Sequence, residues 1–374
     1  MRIGIDGRYA FRAQRRGIGE YVAQLLGQYA KLGDDEFVVY VDGPADVAAL
    51  SLPTDRFRVK RLEVSNPLLF EEIYLPRAAA RDRLDLLHLT ANYGPTYAAC
   101  PTVYTVQDLI EFLRGEIGPW QIDLRHRLGR AVRQRTLPRQ ARHARMVIVP
   151  SHATRRDVIR LLGVPEGRIR VIPYGAPAIQ PADDVETLRA ELRDRGYPVP
   201  KRYLLAFAAL DPRKNGEVVV DAFRKVAAEF PDGELWLVGI ETLAPYQGYD
   251  EPWLRRFGYL PRHDVLDLLK AATAFVFPSK YEGFGFPALE AMAAGVPLLA
   301  SNSSSIPEVV GDTGILFAPD DASALATGMR QILRGGSDVE TRRGSALERA
   351  ALFTWIRTAE EHLAVYRSVG GSSA

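Results

Sequence analysis

Two carboxylates, Glu282 and Glu290, stand eight positions apart in the stretch Phe-Val-Phe-Pro-Ser-Lys-Tyr-Glu-Gly-Phe-Gly-Phe-Pro-Ala-Leu-Glu-Ala-Met-Ala-Ala-Gly, residues 275–295. An apolar strand ends at Pro278, a glycine-bearing turn follows, and Pro287 falls where a first helical turn suits proline. Backbone N–H groups that the turn presents at that helix start, with the helix dipole behind them, suit a phosphate or a developing anion. Carboxylates at this spacing can accept hydrogen bonds from the vicinal hydroxyls of a ribose or a hexose. On their own they also read as acidic residues complementing a helix dipole. A second cluster, Asp211-Pro-Arg213-Lys214-Asn215-Gly216, follows an aliphatic run and puts two adjacent cations in a loop. Such a pair can neutralise a diphosphate.

These residues need a scaffold that brings strand ends together. Short aliphatic or β-branched runs at residues 3–5, 37–41, 86–89, 102–105 and 146–149 alternate with longer helical patterns. After residue 173 comes a proline-framed stretch, Ala176-Pro-Ala-Ile-Gln-Pro181, then an acidic helix over 183–195. A second alternating series follows: strands at 203–208, 234–238, 274–277 and 297–300, helices at 217–229, 263–271 and 287–294. Strands alternating with helices predict parallel sheets with crossover helices. The chain is therefore expected to form two α/β domains, 1–180 and 181–353. A last helix, opened by a threonine cap, is expected over 354–370. Ligands of such sheets lie beyond the carboxyl ends of the strands.

Composition narrows the function. A chain of 374 residues exceeds one ordinary core, and its 47% hydrophobic and 25% charged residues are those of a folded globular protein. With 48 basic against 46 acidic residues the formal charge is only +2, and no aromatic and basic recognition module is present, so no nucleic-acid partner is expected. One cysteine, Cys100, allows no internal disulfide. The first residues read as a strand rather than an export signal, and no apolar run approaches the roughly 20 residues that span a bilayer, so a cytoplasmic protein is expected. No zinc spacing, Walker A lysine motif or nucleophile elbow occurs, and no Asp-x-Asp loop points to a metal. No cofactor or metal is expected; fixed cations and amides would carry the leaving-group charge. The oligomeric state is not legible.

Arg213-Lys214-Asn215, Gly258-Tyr259-Leu260, Pro278-Ser279, Glu282 to Glu290 with its Glu-Gly-Phe-Gly-Phe-Pro core, Ala291-Met292, Gly295-Val-Pro297 and Pro307-Glu308-Val309 resemble the retaining GT-B glycosyltransferases of glycosyltransferase family four. Asp6-Gly-Arg8, the glycine loop Gly17-Ile18-Gly19 before Tyr21, and Ser151-His-Ala-Thr154 add N-terminal hallmarks. The resemblance implies an α/β GT-B fold, two Rossmann-like domains whose parallel sheets face each other across a cleft. It implies a nucleotide-sugar donor and a saccharide or lipid-linked acceptor. Arg213 and Lys214 would bind the diphosphate, Glu290 the ribose, Glu282 the transferred sugar, and the amides of residues 284–286 the sugar or phosphate. Gly17, Ile18 and Gly19 would approach the phosphates, Tyr259 and Leu260 would lie beside the base, and the last helix, 354–370, would pack back on the first domain with Trp355 as its anchor.

The chain departs from the family where His-Asp often follows a strand: here Val106-Gln107-Asp108 stands. Gln107 can still hydrogen-bond a sugar hydroxyl but cannot become cationic; Gln107 and Asp108 are thus either site residues or a structural turn. The resemblance implies attack by the acceptor hydroxyl on the face that the nucleotide leaves, without an enzyme nucleophile. The pattern from Asp6 to Tyr21 leans toward relatives that use GDP-mannose, with UDP-glucose and other donors open. A nucleotide-sugar epimerase or hydrolase on the same scaffold, or a non-catalytic sugar-nucleotide-binding partner, is the alternative. The arginine-rich stretch 120–145, with Leu124, Leu128 and Val132 on one stripe, reads either as a peripheral membrane contact on the inner face of the cell membrane or as a solvated helix face.

Overall fold

The computed structural model describes residues 1–12, 15, 17–45, 50–64, 66–117, 124–209, 211–240 and 250–371. It divides into two compact units, one built from Met1–Phe112, Gln121–Gly175 and Thr354–Ala374, the other from Ala176–Phe353 with Leu113–Trp120.

In the first unit, strands β1 (Arg2–Asp6), β2 (Glu36–Val41), β3 (Phe57–Arg61), β4 (Leu86–Leu89), β5 (Thr102–Thr105), β6 (Met146–Val149) and β7 (Ile169–Val171) form one sheet in the order β3-β2-β1-β4-β5-β6-β7. Every pairing is parallel; Ile3, for instance, lies between Phe37 and Leu86. The central strands are buried on both faces, which is why they read as unbroken apolar runs rather than alternating ones. Leu75, Leu87, Tyr104, Val147 and Val158 pack together on one side of the sheet. The strand order reverses between β1 and β4, so the loops after Asp6 and Leu89 border the position where such sheets hold ligands.

The second unit repeats the plan with β8 (Arg202–Phe207), β9 (Gly233–Val238), β10 (Leu254–Phe257), β11 (Ala274–Phe277), β12 (Leu298–Ser301) and β13 (Ile315–Phe317), ordered β10-β9-β8-β11-β12-β13 and all parallel. Here the reversal lies between β8 and β11, whose carboxyl ends carry the Arg213-Lys214 loop and the Glu282 loop. Val219, Phe223, Leu237, Val276, Leu299 and Met329 form the core on one face. Both units are Rossmann-like.

Strands β3, β7, β10 and β13 are absent from the sequence reading. All lie at or beside sheet edges; β3 reads Phe-Arg-Val-Lys-Arg and β10 Leu-Arg-Arg-Phe, with half-buried faces. All four are only three to five residues long, and β3, β7 and β10 also carry arginine or lysine, so no periodicity separates them from a loop. The last helix, Trp355–Gly370, belongs to the first unit, and Thr354 caps it by accepting from Arg357 N–H. Trp355 is mostly buried there; a Cβ on Gly175 would stand 2.5 Å from its ring, so only glycine admits the indole at that point.

Candidate active site

The cation loop is rigidly built. Asp211 caps a 3-10 turn over Pro212–Lys214, its carboxylate accepting from the Arg213 N–H at 2.9 Å. Asn215 then adopts a left-handed conformation, φ 51° and ψ 38°, which Asn tolerates better than most side chains. Its amide nitrogen donates to the carbonyls of Pro278 at 3.2 Å and Pro319 at 2.6 Å, while Lys280 N–H donates to Arg213 C=O at 2.8 Å. One asparagine thereby ties together the loops after β8, β11 and β13, and the Gly216–Arg224 helix starts from it.

On this platform the two cations converge on Glu282. Its Oε1 lies 2.5 Å from an Arg213 guanidinium nitrogen and 2.9 Å from Lys214 Nζ; the Glu282 side chain is 14% exposed. Arg213 also pairs with Asp211 at 3.2 Å and donates to Tyr281 C=O at 3.0 Å, and the Lys214 ammonium stands 5.7 Å from the centre of the Phe277 ring. Burial by itself would raise the Glu282 pKa. The Lys214 and Arg213 charges, with the hydrogen bond from Lys214, outweigh it and hold the carboxyl below its ordinary value. Glu282 is thus an anion held between cations. A diphosphate arriving there would offer more negative charge in the same geometry and compete for both partners.

Gly285, at φ 114°, turns the chain into the Phe286–Ala293 helix, with Pro287 in its first turn. Neither carboxylate lies in that first turn: Glu282 precedes the helix and Glu290 lies a full turn inside it, where Arg262 grips it through its two terminal guanidinium nitrogens. The dipole-complement reading is therefore not what the structure shows. The Glu290 side chain is only 12% exposed, so Arg262 compensates a carboxylate that is otherwise nearly dry. Tyr259 follows β10 and is 69% exposed, with Leu260 partly exposed beside it. Leu210 lies outside the described residues.

The sequence reading missed one part of this site. Ser301, Ser303, Ser304 and Ser305 all hydrogen-bond the backbone of residues 279–284. The Ser-Asn-Ser-Ser-Ser run after an apolar strand was the available signal.

In the first unit, Gly17, Ile18 and Gly19 form the first turn of a helix, Gly17–Tyr29, where a glycine loop was expected. The two glycines differ in role. A Cβ on Gly19 would meet the Tyr9 carbonyl oxygen at 2.7 Å, whereas one on Gly17 would meet nothing within 4 Å. Gln107 is buried with its amide engaged inside the unit: Nε2 donates to Thr90 C=O at 2.8 Å, Oε1 accepts from the Tyr174 hydroxyl, and its N–H donates to Asn92 at 2.8 Å. Those bonds favour the structural reading of Gln107. The Asp108 carboxylate accepts from Ile110 N–H at 3.1 Å and so shapes the start of the next helix. Arg8, buried at the end of β1, is held bidentately by Asp6 at 2.8 and 2.9 Å and donates to Glu71 at 2.9 Å. In the arginine-rich stretch, a helix runs over Leu124–His143; residues 120–123 and the side chains of Leu124 and Leu128 lie outside what is described. Val132 is 38% exposed, but Leu137 and Ala141 face the core and Arg133 pairs with Glu111 at 2.7 Å.

Among the described residues, no cluster of three or more His, Cys, Asp or Glu could hold a metal, and no helix is long and apolar enough to cross a membrane.

A family model described as Glycosyl transferases group 1 matches residues 189–346, and one described as Glycosyltransferase Family 4 matches residues 15–178. The chain is 28% identical, over 385 residues, to the O-antigen chain mannosyltransferase B of Escherichia coli, an alignment spanning 94% of this chain and 96% of that protein. Among solved structures it is similar to a sucrose-phosphate synthase from Thermosynechococcus elongatus, with a TM-score of 0.75 and 24% identity over all of both chains. It is also similar to Anabaena HepE in complex with UDP and glucose, with a TM-score of 0.73 and 18% identity over 98% of this chain and all of that one. At those identities the two structures speak to the fold alone. The two family models match successive parts of the chain, the E. coli relative aligns nearly end to end, and both units are parallel-sheet Rossmann-like folds: the chain belongs to the family-four, group 1 glycosyltransferases and has their GT-B fold.

Proposed function

We propose that this glycosyltransferase is a retaining hexosyltransferase that moves a hexose from a nucleotide sugar, GDP-mannose in the first instance, to a hydroxyl of a saccharide or lipid-linked acceptor without a metal ion. The observation that carries the reading is the convergence of Arg213 and Lys214 on Glu282 at the reversal point of the second sheet. Two fixed cations there can take the charge that develops on a departing diphosphate, a contribution that needs no reorganisation at the moment of reaction. On this reading Glu282 is a placeholder for phosphate charge before the donor arrives and a hydrogen-bond acceptor for the transferred sugar afterwards. Glu290 is freed from Arg262 to take the ribose hydroxyls, the amides of residues 284–286 meet the sugar or phosphate, and Tyr259 and Leu260 flank the base.

No side chain need attack the sugar. The acceptor hydroxyl approaches on the face that the nucleotide leaves, and the leaving phosphate oxygen takes its proton; the protein positions and stabilises. Mannose as the sugar is supported by the E. coli mannosyltransferase, and a nucleotide-sugar donor is in keeping with the fold shared with HepE, whose own structures hold UDP and glucose or UDP-glucose. Peripheral attachment to the inner face of a membrane through 120–145 is a further part of the reading.

Thermal-shift screening against GDP, UDP, ADP and dTDP sugars tests it, since a ligand that binds only the folded protein raises its midpoint. GDP-mannose is expected to give the largest rise. A uniform absence of shifts across the panel would count against the assignment, and donor consumption without any acceptor would favour a hydrolase or epimerase on the same scaffold.

A further inference from the structure

Four serines in five positions lie beneath the loop that carries Glu282, and their bonds form a regular comb. Ser301 Oγ donates to Ser279 C=O at 2.5 Å and Ser303 Oγ to Lys280 C=O at 2.6 Å. Ser305 Oγ faces the carbonyls of both Glu282 and Phe284 at 2.8 Å, sharing its single proton between them. Ser304 is the exception: its Oγ accepts, from the Glu282 N–H at 2.9 Å. Ser301 and Ser305 are fully buried.

Ser304 also adopts φ 49°, a left-handed conformation that is strained for a residue with a Cβ and open to glycine. A serine kept in a strained position next to a site, where glycine would relieve the strain, points to a use for its hydroxyl. The one contact that hydroxyl makes with the backbone of the 279–284 segment is at the residue whose carboxylate both cations grip.

We propose that Ser304 is a positioning residue for the donor sugar: it fixes the Glu282 backbone so that the carboxylate meets the hexose, while the diphosphate is held independently by Arg213 and Lys214. This rests on the donor-site reading above. It makes the two halves of the donor separable, because loss of Ser304 affects the sugar and loss of Lys214 affects the phosphates.

The test is calorimetric titration of GDP-mannose and GDP, and in parallel UDP-glucose and UDP, into wild type, Ser304→Gly, Ser304→Ala and Lys214→Ala, with thermal midpoints recorded for each. Ser304→Gly should keep or raise the midpoint, weaken the sugar nucleotide about tenfold, as expected for one lost hydrogen bond to a nearly buried amide, and leave the matching nucleoside diphosphate unchanged. Ser304→Ala should weaken the sugar nucleotide equally and lower the midpoint, since it keeps the strain and loses the bond. Lys214→Ala should weaken both ligands. Equal affinity of wild type and Ser304→Gly for the sugar nucleotide overturns the inference and leaves the donor site standing. So does a parallel loss of both ligands and of thermal stability in Ser304→Gly. Wild type that binds neither pair, or Lys214→Ala that binds both as wild type does, overturns the donor site and the inference with it.

Discussion

At the scale of single residues, the site stores its charge in pairs. Arg213, Lys214, Asp211 and Glu282 sum to zero, so the platform does not repel itself when no ligand is present. Removing one member leaves the others uncompensated in a largely buried place, which is costly. Lys214→Ala should lower turnover roughly 10²-fold or more, the scale of losing one preorganised donor to developing charge. Steady-state kinetics on the folded variant checks this, and near-normal turnover would mean that the ammonium is structural. These cations and both glutamates were legible from residue type and spacing after a strand. Their mutual pairing was not, because Arg213 and Glu282 lie far apart in sequence and only the β8–β11 adjacency brings them together. Asn215, placed by the sequence in the cation loop and its motif, spans three loops that only the fold brings together.

The elements explain which part of the sequence reading was incomplete. Central strands announce themselves because burial on both faces demands continuous aliphatic residues, whereas β3 and β10 at the edges carry arginines and lysine and do not. The Gly17-Ile18-Gly19 segment shows a different limit: two glycines read as a loop, yet they start the Gly17–Tyr29 helix. Glycine identity records what the backbone must approach, and only Gly19 has its reason inside the unit, at the Tyr9 carbonyl. Gly19→Ala should therefore destabilise on the order of 1–3 kcal/mol, the usual cost of overpacking. Gly17→Ala should stabilise by about 0.4–1 kcal/mol by restricting the unfolded chain. If the Gly17 backbone approaches a phosphate of the donor, the same variant loses turnover while gaining stability. Denaturation midpoints and initial rates measured together separate these outcomes. For the Leu124–His143 helix, binding to anionic liposomes that weakens from low to moderate salt is the expected signature of a membrane contact; no binding at either salt would leave its arginines as a solvated face.

In the first unit as a whole, the final helix is secured by a buried polar chain. The Tyr366 hydroxyl meets His88 Nδ1 at 2.6 Å and the Tyr29 hydroxyl at 2.9 Å, His88 Nε2 meets Thr105 at 2.8 Å, and Tyr21 meets both Thr105 at 3.0 Å and His362 Nε2 at 2.8 Å. His362 Nδ1 faces the Thr358 carbonyl at 2.7 Å and so carries the ring hydrogen, leaving Nε2 to accept from Tyr21. Burial pushes His362 down to about 4, and burial together with the neighbouring His362 ring pushes His88 well below its ordinary value. Unfolded, both rings take a proton near pH 6.5. Between that value and about 4 the native state binds fewer protons, so stability is complete above about pH 6.5 and falls as the solution is acidified. Denaturant midpoints should drop between pH 7 and 4.5, and His362→Gln should flatten part of that drop. An unchanged midpoint across the range would contradict the neutral, buried rings. None of this network was visible beforehand: its members come from two helices and two strands, and scattered histidines and tyrosines carry no spacing signal.

Donor binding and catalysis both depend on the diphosphate resting on Arg213 and Lys214. A crystal of the protein grown with GDP-mannose, or with whichever sugar nucleotide gives the largest thermal shift, tests that directly. Phosphate oxygens are expected within hydrogen-bond distance of the Arg213 guanidinium and the Lys214 ammonium, with Glu282 turned from its cations toward a hydroxyl of the hexose. A nucleotide bound elsewhere, with the Arg213–Glu282 and Lys214–Glu282 pairs intact, would contradict it.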